Sequence, residues 1–231
     1  MVGDHAGRDI PSSLSGLGLP ATALDLHIAS DIGVAALGAL LCDRLGATFI
    51  AQRYSRLVID CNRDPDRPDA VAEVSDGVAV PGNAALSASA RADRVTEVFA
   101  PYHDRIAAEI DARRAAGQRP MLLALHSFTP VMVGAARPWR VGVLHMGRSP
   151  LSEAMLAALR AALDPALVGD NAPYRMDATD YTVPRHAIAN GLDYLELEVR
   201  QDLIADAGGQ AEIAGLLAPL LQAARDRAAA G

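Results

Sequence analysis

Residues 121–125 read Met-Leu-Leu-Ala-Leu, five apolar side chains with no polar break, after the stop Gln118-Arg119-Pro120 and before His126. A strand with one wet face alternates apolar and polar residues. A run that is apolar at every position is buried on both faces. Burial on both faces needs helices on both sides, the layering of an α/β sheet whose strands are mostly parallel. The rest of the chain offers those helices. Residues 31–45 carry Ile32, Ala35, Ala36, Leu40 and Leu41 at helical spacing, with Ser30 or Asp31 to cap the start and Gly46 to stop it. A long helical pattern over 88–116 breaks or kinks near Pro101, and 150–163 follows Ser149 as N-cap. A terminal amphipathic helix over 210–230 is expected to kink at Pro219. Short strands are predicted at 48–50, 57–59, 139–144 and 194–199, and residues up to Ala23 read as loop. Residues 62–82, rich in Pro, Gly and Asp, make a long polar connection of the kind that often serves function. No repeat or linker interrupts the 231 residues. The expectation is one domain over 1–231, with a mostly parallel or mixed central sheet covered by helices on both faces.

Composition removes several functions. Hydrophobic residues make up 51% and charged residues 21%, which suits a packed globular chain. The net charge of -7 argues against a broad basic face for nucleic acid. All 21 cationic side chains are arginine. Without lysine there is no Schiff-base amine, no phosphate-loop lysine and no Ser–Lys dyad. Cys42 and Cys61 form neither a CxxC nor a zinc-ribbon pattern, so a reduced, cytoplasmic setting is expected. No window reaches the roughly 18 apolar residues of a membrane span. Nothing in the sequence speaks to oligomeric state.

In an open α/β sheet, ligands bind beyond the carboxyl ends of the strands. His126 follows the apolar run directly, and is either a ligand or base, or a core histidine bonded to backbone. Glu196 and Glu198 share one face of the alternating segment 194–199. Such a face points to solvent on an edge strand or into a site. Asn62 and Arg63 follow Leu-Val-Ile-Asp at 57–60, placed either as a carboxylate fork or as a turn with a salt bridge to Asp60 or Asp64. His5 precedes Gly7 at what looks like a strand-to-loop exit. His27 and Asp31, four apart, flank the first helix start, where Asp31 can also complement the helix dipole. Tyr174 and Arg175 offer a phenol and a guanidinium from a loop to an anionic ligand. His103 is expected at a surface or in packing, His186 in a solvated loop, and His145 has nothing nearby to complete a site. Histidines, carboxylates and arginines at strand exits suit one catalytic zinc with an open position, and a small anionic substrate.

Six stretches carry a resemblance: Asp4–Pro11, 26–33, Tyr54–Arg63, 125–131, 171–175 and Tyr194–Asp202. In this order, and over nearly the whole chain, they resemble the N-formylglutamate amidohydrolase family. That family is similar to the zinc carboxypeptidases and to the succinylglutamate desuccinylase and aspartoacylase group. The resemblance implies a carboxypeptidase-like α/β fold and a zinc-dependent hydrolase, one zinc per chain. Its substrate would be the N-acyl amide of an acidic amino acid, with N-formyl-L-glutamate foremost. It implies His5 and His126 as metal ligands, Glu198 as general acid/base, and Asn62 and Arg63 at the substrate, with Arg56 and Arg175 assisting. Carboxypeptidases use His-x-x-Glu, but the residue three after His5 is Arg8. Asp31 is the preferred third ligand, with Asp9 and His27 as alternatives. The sequence departs from the family at Ser30, where an aromatic is common, and only Met-Val-Gly precedes Asp4, so the usual first strand is almost missing. A binding protein that keeps the fold without turnover, and a hydrolase of another N-acyl amino acid or peptide, are the alternative readings.

Overall fold

The structure is a computed structural model and describes residues 1–230. Six strands form the central sheet: β1 (Val2–Gly3), β2 (Ile50–Ala51), β3 (Leu122–Phe128), β4 (Val141–Leu144), β5 (Val168–Asp170) and β6 (Tyr194–Arg200). Their order is β2-β1-β3-β6-β4-β5. β2, β1, β3 and β6 run parallel to one another, whereas β4 runs antiparallel to β6 and β5 runs parallel to β4. The apolar run of the sequence is β3, at the centre of the sheet. The helices are α1 (Val34–Leu45), α2 (Ala88–Arg94), α3 (Ala100–Ala115), α4 (Pro150–Ala162), α5 (Thr182–His186) and α6 (Ala207–Ala229).

Alternation along the two central strands sorts their side chains. Leu123 and Leu125 of β3 and Leu195, Leu197 and Val199 of β6 pack against α1, α4 and α6. Leu122 and Ala124 of β3 and Tyr194 of β6 join the other core, with Val98, Phe99, Ile106 and Ile110 around α3. His126, Glu196 and Glu198 project to this second face, at the end where the core gives way to a cavity. The helix expectation over 150–163 is met by α4, with Ser149 accepting from Ser152 N. α6 runs unbroken through Pro219.

Several expectations need correction. Leu57–Ile59 is not a strand; it is a turn whose three side chains are apolar because they fill the α3-side core. The segment with Glu196 and Glu198 is not an edge: β6 pairs with β3 on one side and β4 on the other. α1 begins at Val34 rather than Asp31, because the Asp31 side chain turns inward instead of capping. The stretch to Ala23 is not all loop. Val2–Gly3 pairs with β2 and β3 as a two-residue first strand, as short as the sequence implied, and two short 3-10 turns follow. Residues 62–82 contain a 3-10 turn (Pro68–Val71) and a hairpin that pairs Val74–Ser75 with Val78–Ala79. The 88–116 pattern is α2 and α3 joined by a wider turn, Val95–Phe99, just before Pro101. Among the described residues, no helix is long and apolar enough to cross a membrane.

Candidate active site

Three segments far apart in sequence bring one donor atom each to a common point. His5 stands in the turn after β1, Asp31 in the lead-in to α1, and His126 near the end of β3. One ligand atom from each lies within 4.8 Å of the others. Asp31 Oδ2 is 3.5 Å from His5 Nδ1 and 3.0 Å from His126 Nδ1. Donors about 2.0 Å from a zinc at tetrahedral angles are about 3.3 Å apart, so the spacing suits such an ion. The backbone fixes Asp31 there. Its N–H donates to His5 O at 2.9 Å, and Gly33 behind it has φ +82 and lies so close to Ile204 that a Cβ would meet that carbonyl oxygen at 2.2 Å. Only glycine fits that turn.

The far side of each imidazole is also held. His5 Nε2 donates to Asp60 Oδ1 at 2.7 Å, which leaves Nδ1 as a lone pair with no hydrogen-bond partner. Arg56 and the Asn62 N–H hold Asp60 in turn. His126 Nε2 stands 3.4 Å from Asp4 Oδ2, and neither atom has another partner. A proton on Nε2 joins them and turns Nδ1 into a second lone pair. Tyr102 and Thr182 donate to Asp4 Oδ1 at 2.7 and 2.9 Å. Metal-bound histidines commonly give their other N–H to a carboxylate in this way. Burial works against charge on either imidazole, yet Asp31, with Asp60 at one and Asp4 at the other, raises both pKa values. Burial likewise opposes charge on Asp31, but the two imidazoles hold its carboxyl far below the usual range. Two imidazoles and a carboxylate aimed at one point, with an orphaned buried nitrogen among them, are a donor set that a divalent metal satisfies.

Glu198 lies beside His126 across the β3–β6 ladder, and Glu196 two residues earlier on the same face. Neither carboxylate has a hydrogen-bond partner among the described residues, though both are buried. Burial is the main reason Glu196 is pushed up to about 7 and Glu198 is pushed up further; Asp31 and Glu196 add to the rise at Glu198.

These groups line a cavity of about 620 Å³ with Arg56, Asn62, Arg63 and Arg175. Arg56 is tied to Asp60 at 2.6 Å, and Arg63 lies 3.5 Å from Asp180. The Asn62 amide is committed to the loop before α5: its oxygen accepts from Tyr181 and Thr182 N–H, and its Nδ2 donates to Asp180. Of the three alternatives for a third donor, the structure brings Asp31 to the histidines. Asp9 is outside the cavity, paired with Arg53, and His27 is at the rim against Asp76. His145 is paired with Asp170 away from the site. His103 is a packing residue, and His186 is buried rather than in a solvated loop. They stack within the protein, 2.9 Å apart between Nδ1 and Nε2, and His103 Nε2 donates to Cys61 O. Sequence reasoning missed Asp4 and Asp60. The available signals were an acid directly before His5 and an acid ending the 57–60 run.

The model of the family described as N-formylglutamate amidohydrolase matches residues 1–205. No curated protein matches the chain. Among solved structures, a gene product from Agrobacterium tumefaciens is 40% identical with a TM-score of 0.92, over 97% of this chain and 89% of that one. N-formylglutamate amidohydrolase from Ralstonia eutropha is 20% identical with a TM-score of 0.71, over 100% of this chain and 94% of that one, and shows a shared fold. With the family model covering most of its length, the chain belongs to the N-formylglutamate amidohydrolase family.

Proposed function

We propose that the protein is a zinc-dependent amidohydrolase that cleaves the N-acyl amide of an amino acid, with N-formyl-L-glutamate, giving formate and L-glutamate, the first substrate to assay. The observation that carries this reading is the convergence of His5, Asp31 and His126 beside the unpartnered Glu198 in one cavity. One zinc per chain on those three residues would supply Lewis acidity to the acyl carbonyl and to the attacking water.

The rest of the chemistry falls to side chains. Glu198 takes a proton from the water as oxygen adds to the acyl carbon, then gives it to the nitrogen as the C–N bond breaks. Burial suits Glu198 to this, since raising its pKa makes the carboxylate a stronger base toward the water and lets the carboxyl it becomes pass the proton on. Asp60 and Asp4 keep the imidazoles aligned. Arg63 and Arg175 line the cavity and hold the substrate carboxylate, with Arg56, paired with Asp60, lining it beside Asp31. Asn62 contributes through the loop it fixes.

The test is formate release by zinc-loaded protein and by Glu198→Gln. The variant should keep its zinc and lose about 10²–10⁴-fold in kcat, the usual range for a proton-transfer group. A variant as active as the parent would overturn the role of Glu198, and no release from any N-acyl amino acid would overturn the reading itself.

A further inference from the structure

Arg137 lies outside every motif named above, and it is not among the residues that line the cavity. It ends a hairpin that leaves the sheet just after β3. Val131–Met132 pairs with Ala135–Ala136, the turn between them has φ +50 at Val133 and +77 at Gly134, and Arg137 N–H donates to Pro130 O at 2.8 Å. Positive φ at both turn residues sends the chain straight back along itself. The excursion therefore ends beside the tip of β3. There the Arg137 guanidinium carbon is 5.9 Å from the Phe128 ring centroid and 4.7 Å from that of Tyr174. One of its nitrogens donates to the Tyr174 oxygen at 2.8 Å. Tyr174, unlike Arg137, lines the cavity. Its oxygen accepts from Arg137, so its one proton is left for another acceptor, and none on the protein takes it among the described residues. Burial, with Glu198 and Asp31, outweighs Arg137 and raises the phenol's pKa, so it stays a donor. The backbone behind it is fixed separately. A Cβ at Gly142 or Gly169, neighbours across β4 and β5, would meet Ala172 O at 2.0 or 2.1 Å, and Asn171 N–H donates to Val143 O at 2.9 Å. What remains to be set is the direction of the Tyr174 side chain.

We propose that Arg137 is a positioning residue: by donating to the Tyr174 oxygen from outside the cavity, it turns the phenol O–H inward to donate to a carboxylate oxygen of the substrate, beside Arg175. A partly exposed contact of this kind adds little to stability, so its effect falls on binding. This rests on the amidohydrolase reading and adds a residue to its substrate site.

The test measures calorimetric binding of L-glutamate, and kcat/KM for formate release from N-formyl-L-glutamate, on the zinc-loaded parent, Arg137→Gln, Tyr174→Phe and the double variant. Each single variant should weaken binding and lower kcat/KM about tenfold, the scale of one hydrogen bond to a charged group, with zinc content and Tm unchanged. Because Arg137 acts through the phenol, the double variant should be no worse than Tyr174→Phe alone. Arg137→Gln equal to the parent, or losses that multiply in the double variant, would overturn the assignment. Tyr174→Phe removes the same hydrogen bond and keeps the ring, so it reads the contact even where Arg137→Gln is unstable. If no N-acyl amino acid is cleaved but the parent binds L-glutamate about tenfold tighter than the single variants do, the hydrolase reading falls and the role of Arg137 stands. L-glutamate bound alike by all four proteins, or not bound by the parent, overturns the role of Arg137 whatever the turnover.

Discussion

Asp4 has one oxygen tied and one open. Tyr102 and Thr182 hold Oδ1, and Oδ2 is left facing His126 Nε2. An acid so placed sets which nitrogen of the imidazole carries the proton, and so which one is left to bind a metal. Asp4→Asn should weaken zinc binding about 10–100-fold, read by competition with a chromophoric chelator. An unchanged affinity would remove Asp4 from the site. His126 was legible in the sequence because a polar residue ending an apolar strand has few other uses. Asp4 and Asp60 were not, because their value depends on histidines at other positions in the chain: Asp60 meets His5 across 55 residues. The choice of Asp31 over Asp9 and His27 also needed coordinates, since helix capping and metal binding both use an acid before a helix.

Elements carry their own consequences. α5 brings His186 onto His103 of α3. Burial, then the neighbouring His103 and Arg185, pulls His186 down to about 4, and burial lowers His103 as well. In the unfolded chain each titrates near 6.5, so the pair binds more protons unfolded than folded as the pH falls. The stability from His186 is thus present above pH 6.5 and is lost as pH falls from there toward 4, a change of up to about 3 kcal/mol. Urea unfolding of the parent and of His186→Gln across that window checks this: the parent should lose more stability than the variant, and parallel curves would contradict it. Beside Asp31, Gly33→Ala should cost at least about 1 kcal/mol, since the added Cβ meets Ile204 O and φ is positive. Thermal unfolding at the parent's midpoint would disprove that. Periodicity located the long elements, and it failed where burial imitates it. Leu57–Ile59 is apolar yet turned, and the Glu196–Glu198 alternation is internal although such a pattern usually marks an edge.

At the scale of the whole molecule, the three donors come from residues 5, 31 and 126, so one ion would tie together three separate segments. A ligand that binds only the folded form stabilises it by mass action, about 2.7 kcal/mol at a hundred times its Kd, or roughly 5–10 °C in Tm for a domain of this size. Zinc should raise Tm by about that much and a chelator should reverse it; a melt indifferent to both would speak against the site. The α/β class was readable from a single apolar run because burial on both faces admits few architectures. The antiparallel β4 was not, since strand direction follows from connections that residue pattern does not encode.

The most direct test is zinc content and formate release from N-formyl amino acids, measured on one preparation before chelation, after it, and after zinc is restored. About one zinc per chain, with release lost and regained in step with the metal, is the predicted result. Full release by metal-free protein, or equal zinc retention when His5 and His126 are both replaced by alanine, would contradict it.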